Sequence, residues 1–179
     1  MTIVLLISGT ITMELILKRA EIEDKSFLIE SYVDGSLDNN FHPNMSLKPL
    51  KTNAYVECLL YFQRDGITGN EVNVEIAWSG NTPVGILISE IKGNEKTISA
   101  IHVHKGYRGV GVGKFIVLKF LENSFEFKRV TAYCRESSEK FKSLLLLNGF
   151  REFRNDNGVI GYELHINHSS YQRPFSYNF

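Results

Sequence analysis

Tyr107-Arg108-Gly109-Val110-Gly111-Val112-Gly113-Lys114 separates an apolar run, Ile98 to Val103, from a helical-looking stretch, Phe115 to Leu121. A strand that breaks into a glycine turn and reopens as a helix leaves the first helical N–H groups unpaired, aimed outward with the positive end of the helix dipole. Gly109, Gly111 and Gly113 carry no side chains to block an anion from the backbone, and Arg108 adds a fixed positive charge at the rim. The stretch reads as a phosphate socket.

Spacing narrows the ligand. A P-loop needs glycine, four residues, then Gly-Lys-Ser/Thr, but the position five before Gly113 is Arg108, and Lys114 is followed by Phe115. A dinucleotide-binding turn needs a third glycine where Lys114 stands, and no early strand is placed to start such a unit. Arg108-x-x-Gly111-x-Gly113 instead resembles the pyrophosphate-binding motif, Gln/Arg-x-x-Gly-x-Gly/Ala, of the GCN5-related N-acetyltransferases. Other landmarks follow in the order of that family. Ile101-His102-Val103-His104 resembles its fourth strand, Val130 to Cys134 its next strand, and Ser138 to Asn148 with Gly149-Phe150 its following helix and Gly-Phe ending. Leu17-Lys18-Arg19-Ala20 with Asp24 is similar to its opening.

The resemblance implies an α/β (α+β) fold, a mixed, mostly antiparallel sheet of six to seven strands with helices on both faces. It implies acetyl-coenzyme A as donor and direct transfer of acetyl to a primary amine in a ternary complex. The strand segment Ile101-His102-Val103 is then expected along the pantetheine arm, paired through the backbone of Ile101 and Val103. Arg108, Gly109, Val110, Gly111, Val112, Gly113 and Lys114 would cradle the pyrophosphate, and Ser138 would hydrogen-bond the pantetheine in place of the family's usual Asn. The family's usual tyrosine, four residues before the helix-ending glycine, is replaced by Leu145, which has no proton to give the departing thiolate.

Composition is consistent with this. A chain of 179 residues that is 43% apolar suits one compact domain. Twenty basic and twenty acidic residues cancel, so no global field favours nucleic acid or an anionic membrane. Cys58 and Cys134, the two cysteines, have no metal-site spacing and suit a reducing cytoplasm; no metal is expected. Ile3 to Ile7 looks faintly like a signal peptide but has no basic residue ahead of it and is too short to span a bilayer. Residues 1–12 are read as an extra segment or an upstream start, 13–166 as the acetyltransferase domain and 167–179 as a tail. Paired sheets in the resembled family leave a homodimer open.

Along the chain, Glu14 to Leu17 reads as a strand and Asp24 to Tyr32 as a helix capped by Asp24. Between Asp34 and Asn53 the pattern dissolves into a polar loop with one buried-looking aromatic, Phe41. Ala54 to Arg64 is near-helical. Period-two alternation then marks strands from Glu71, Val84 and Lys96, with turns at Ser79–Pro83 and Lys92–Asn94. A final hairpin crosses Asn155-Asp156-Asn157-Gly158.

Free energies rank the catalytic help required. A lysine-like amine of pKa about 10.4 sheds its proton at pH 7 for roughly 4–5 kcal/mol, whereas protonating a thiolate of pKa about 8.5 returns only roughly 2 kcal/mol. A base matters more than an acid. Glu75, Glu90 and His102 are the candidate bases, acting directly or through water. Tyr133, Ser137 and Cys134 are the candidate acids, each with a competing structural role. Alternation places His102 and His104 on one face of their strand and Ile101 and Val103 on the other. Two other classes remain open: a coenzyme-binding sensor without turnover, and a protein-interaction module built on the 34–53 loop and the aromatic tail.

Overall fold

The computed structural model describes residues 3–7, 11–41 and 44–166; His42, Pro43 and the tail from 167 onward lie outside the described residues. Among the described residues eight strands form one sheet: β1 Ile3–Ile7, β2 Ile11–Arg19, β3 Glu71–Ser79, β4 Thr82–Lys92, β5 Glu95–Val103, β6 Arg129–Arg135, β7 Arg151–Asp156 and β8 Val159–His165. Their spatial order is β1-β2-β3-β4-β5-β6-β8-β7, and every pair is antiparallel except β5 with β6. The strand beyond the expected seven is β1, which pairs with β2 from Ile3 opposite Leu15 to Ile7 opposite Ile11.

Helices cover both faces. On one lie α1 Lys25–Leu37, α2 Asn44–Leu47 and α3 Pro49–Glu57; on the other, α4 Val112–Glu122 and α5 Glu139–Leu147. Val72, Val74 and Ile76 of β3 point to the first face, where Leu28 and Tyr32 of α1 and Val56 of α3 meet them. Ala77, Val84, Leu87, Ile98 and Val130 point to the second, against Phe115, Ile116 and Phe120 of α4 and Leu145 of α5. Period two in the strands against about 3.6 in the helices gives each face one apolar layer.

Three local expectations change. Helix α1 runs on past Tyr32 to Leu37, into the stretch from Asp34 that reads from sequence as a polar loop, because Gly35 and Ser36 are buried there. Asp24 stands at its N-cap position, but its carboxylate turns back to accept the Glu21 N–H at 2.9 Å. The stretch read as a patternless loop holds α2 and α3, the latter opened by Pro49 in its first turn. A π turn, Cys58–Phe62, then ends at Gln63 in a left-handed conformation, φ +51°. The final hairpin turns at Asn157 and Gly158, φ +50° and +76°, the pair of positive values a two-residue turn requires.

Candidate active site

The sheet parts in its middle. β5 and β6 pair only from Glu95 with Arg129 to Ile98 with Ala132. Arg129 fastens the closed end, bonding Glu95 at 3.0 Å and Glu163 at 2.8 Å, and the Thr97 and Thr131 hydroxyls meet at 2.7 Å just above. Past Ile98 a bulge in the β4–β5 register leaves Ser99 without a partner on β4. From there to Val103, β5 has no partner on its β6 side among the described residues, so its backbone edge there borders a wedge-shaped cleft.

The glycine turn crowns the open end of this wedge. Tyr107 and Val110 pack against the core and anchor the turn, while Arg108 and Gly109 between them are exposed. Gly109 has φ +81° and Gly111 φ +94°; Gly111 is the N-cap of α4. A side chain at Gly109 would meet nothing within 4 Å, so the turn faces open space. The first bond of the α4 ladder is Phe115 N–H to the Gly111 carbonyl at 2.9 Å, and helix geometry places the N–H groups ahead of it outside the ladder. Gly113 sits between Val103 and Leu144, whose methyls lie 3.8 and 3.9 Å from where its Cβ would be, joining turn, strand and α5. These features fit a diphosphate: backbone donors, a dipole end and open approach.

Arg108 is held on two sides. Its Nε donates to the Val103 carbonyl at 2.8 Å and its Nη2 to Asp38 Oδ2 at 2.7 Å; Lys105 Nζ lies 3.7 Å from the same carboxylate. The Arg108 hydrogen bond holds the Asp38 carboxyl below its ordinary pKa. Two residues on, Asn40 Oδ1 accepts a long 3.4 Å bond from the Ser138 hydroxyl at the head of α5. The segment after α1 thus touches both banks of the wedge.

Below this strap, His102 is 5% exposed, with its ring 6.1 Å from Phe41 and no hydrogen-bond partner for Nε2 among the described residues. Burial pushes its pKa down to about 4, Arg108 adding to the effect and Asp34 and Asp38 opposing it, so the imidazole is neutral at pH 7 and its ring can accept a proton. His104, two residues along, lies 3.9 Å from Glu30.

No family model matches the sequence, and no curated protein matches it either. Solved structures do match its backbone. PaiA N-acetyltransferase of Thermoplasma acidophilum, in complex with coenzyme A, superposes with a TM-score of 0.66 at 14% identity, covering 84% of this chain and 98% of its own. YncA of Salmonella typhimurium, a putative acetyltransferase with acetyl-CoA, gives 0.66 at 12% identity over 90% of this chain and 98% of its own. Spermidine N-acetyltransferase of Vibrio cholerae, with coenzyme A and spermine, gives 0.65 at 16% identity over 85% and 95%. The chain has the GCN5-related N-acetyltransferase fold.

Within that acetyltransferase fold, the remaining candidates scatter. Glu75 lies on the opposite face of the sheet from His102: burial raises its pKa, opposed by the charge of Lys96, itself buried against Phe120 and Phe127. Glu90 shares the His102 face, but its carboxylate accepts bonds from Ser99 (2.5 Å), Asn70 (2.8 Å) and Thr68 (3.2 Å). Its register partner is Thr97, four positions along β4 from Ile86 opposite His102, or roughly 13 Å at strand rise. These two carboxylates do not converge with His102.

Among the candidate acids, Tyr133 lies 45% exposed with its ring edge-on to Phe153, across the wedge on β6. Cys134 is buried in the core, and burial pushes its thiol up to about 11. Ser137 is exposed. Leu145 is wholly buried, and its carbonyl accepts the Phe150 N–H in the motif that ends α5 at Gly149, φ +84°. Asp38 and Asn40 were missed from sequence, where both read as turn formers. The i, i+4, i+8 run Glu30-Asp34-Asp38 was the available signal, hidden because the helix was expected to stop at Tyr32.

Proposed function

We propose that this chain moves the acetyl group of acetyl-coenzyme A to a primary amine. The observation that carries the reading is the wedge of half-paired β5 leading straight into a glycine-capped helix. Ile101 and Val103 offer backbone to the pantetheine arm. Arg108 and the amides from Gly109 to Lys114 take the pyrophosphate, and Ser138 bonds the arm from the other bank. The amine nitrogen attacks the thioester carbon, the C–N bond forms as the C–S bond breaks, and one proton leaves nitrogen while the thiolate takes another.

His102 is the base this geometry favours, because among the three candidates it alone is buried beside the strap with an unpartnered ring nitrogen. Its depressed basicity is in part Arg108's effect. A pyrophosphate on Arg108 would offset that charge, so the base would gain strength as the donor binds. The acid is solvent or Tyr133.

The test is coenzyme release with acetyl-coenzyme A across peptide N-termini, lysine peptides, polyamines, aminoglycosides and amino acids. Release with any of these supports transfer. Binding of acetyl-coenzyme A with no release from the whole panel would favour the second reading, a coenzyme sensor, which the core placement of Leu145 favours.

A further inference from the structure

Asp38 to Phe41 follow α1 and fold back on its last turn. The Asn40 and Phe41 N–H groups donate to the Gly35 carbonyl at 2.8 and 3.0 Å, with Asn39 left-handed at φ +59°. This fold aims three side chains at three different neighbours. On the β5 bank of the wedge, Asp38 meets Arg108 at 2.7 Å and Lys105 at 3.7 Å. On the α5 bank, Asn40 accepts from the Ser138 hydroxyl at 3.4 Å. Between the banks, the Phe41 ring lies 6.1 Å from the imidazole of His102.

In the acetyltransferase reading each of these neighbours has another task. Arg108 takes the pyrophosphate and Ser138 bonds the pantetheine arm, so a donor in the wedge competes with Asp38 for one and with Asn40 for the other. The competition favours the donor: a guanidinium binds a diphosphate in bidentate fashion, whereas its pair with Asp38 is over a third exposed on the arginine side and weak. His102 is shut in by the same segment. It is 5% exposed, and its Nε2 has no hydrogen-bond partner among the described residues. A general base has to come within about 3 Å of the proton it takes, or reach it through one water, and an acceptor amine cannot do that while Phe41 lies against the ring. A buried ring nitrogen without a partner is costly, and access for the amine relieves that cost. One four-residue segment therefore holds the donor groups and the base closed together.

Resting on the acetyltransferase reading, we infer that Asp38 to Phe41 form an autoinhibitory latch. The coenzyme displaces Asp38 from Arg108 and Asn40 from Ser138, and release of the segment carries Phe41 off His102. The base opens to the acceptor only when the donor is in place.

The test reads access to His102 directly, by carbethoxylation of the intact protein with diethyl pyrocarbonate. Fragmentation of the modified peptide scores His102 apart from His104. Saturating coenzyme A is expected to speed modification of His102 at least fivefold in the wild type, as the open population grows. The double variant Asp38→Asn/Asn40→Ala, with a circular-dichroism melt verifying its fold, is expected to react that fast without coenzyme. A His102 rate that coenzyme A leaves unchanged or lowers, while calorimetry shows the coenzyme bound, overturns the latch and leaves the acetyltransferase reading standing. A double variant as slow as the wild type overturns it too. Coenzyme A that binds the double variant but not the wild type upholds the latch in its tightest form, and coenzyme A that binds neither rejects the latch and the acetyltransferase reading together.

Discussion

Arg108 Nη2 donates to Asp38 Oδ2 at 2.7 Å across 70 residues of sequence, tying the end of α1 to the glycine turn. The pair is over a third exposed on the arginine side, so it contributes at most about 1 kcal/mol. A diphosphate on the same guanidinium has to share or displace it. Asp38→Asn is therefore expected to tighten acetyl-coenzyme A binding by up to about fivefold, the equivalent of that 1 kcal/mol. Arg108→Gln is expected to weaken it roughly tenfold to a hundredfold, the worth of a hydrogen bond to a charged group. Calorimetry on both variants decides, and a Asp38→Asn that binds more weakly would show that the carboxylate supports the socket rather than competes with it.

Gly111 holds φ +94° at the N-cap of α4, a conformation costing a residue with a side chain about 1–2 kcal/mol, and more for a β-branched one. Gly111→Val is expected to lose acetyl-coenzyme A binding by more than tenfold in calorimetry. Gly80, in the β3–β4 turn at φ +57° with open space around it, supplies the comparison. Gly80→Val carries similar backbone strain far from the turn, so it should lower Tm and leave coenzyme affinity alone. Equal loss in both variants would reduce the Gly111 effect to general destabilisation.

The glycine turn, the strands around it and the helix-ending Gly149 were legible in sequence because each rests on local chemistry: positive φ, period two, a left-handed cap. The segment after Tyr32 was not. The stretch from Asp34 reads as a polar loop, yet the helix persists because Gly35 and Ser36 are buried and Phe41 folds back over Gly35. Sheet face was the other limit. Alternation separated His102 from Ile101, but only the register of three strands, β3, β4 and β5, shows that Glu75 turns away from His102 and that Glu90 sits roughly 13 Å down the strand.

Gly35 and Phe41 make that packing testable. A Cβ on Gly35 would intrude on Cδ2 and Cε2 of the Phe41 ring, which also lies 5.1 Å from Tyr32. Gly35→Ala gains helix propensity of at most about 1 kcal/mol, while overpacking costs about 1–3 kcal/mol. Net loss of Tm is expected, together with a raised acceptor KM as Phe41 shifts against His102. A rise in Tm at unchanged KM would mean the ring moves aside freely and does not position the strap.

His102 gives the pH dependence. Its pKa is about 4 in the fold against an ordinary 6.5, so between these values the unfolded chain binds a proton that the folded chain refuses. Stability rises with pH wherever the unfolded state holds more protons, so the contribution is complete above about 6.5 and lost as pH falls toward 4, by roughly 3 kcal/mol. The Asp38 contribution, from a carboxyl held below its usual 3.8, is lost only below that value and falls outside the window. Urea melts of the wild type between pH 7 and 4.5 should therefore show a decline that His102→Gln flattens. Bound coenzyme A should move the decline to lower slope as well, since offsetting the Arg108 charge lets the imidazole protonate more readily in the fold. An identical slope in His102→Gln would assign the acid sensitivity to other groups, and an unshifted one with coenzyme would uncouple the base from the phosphate turn.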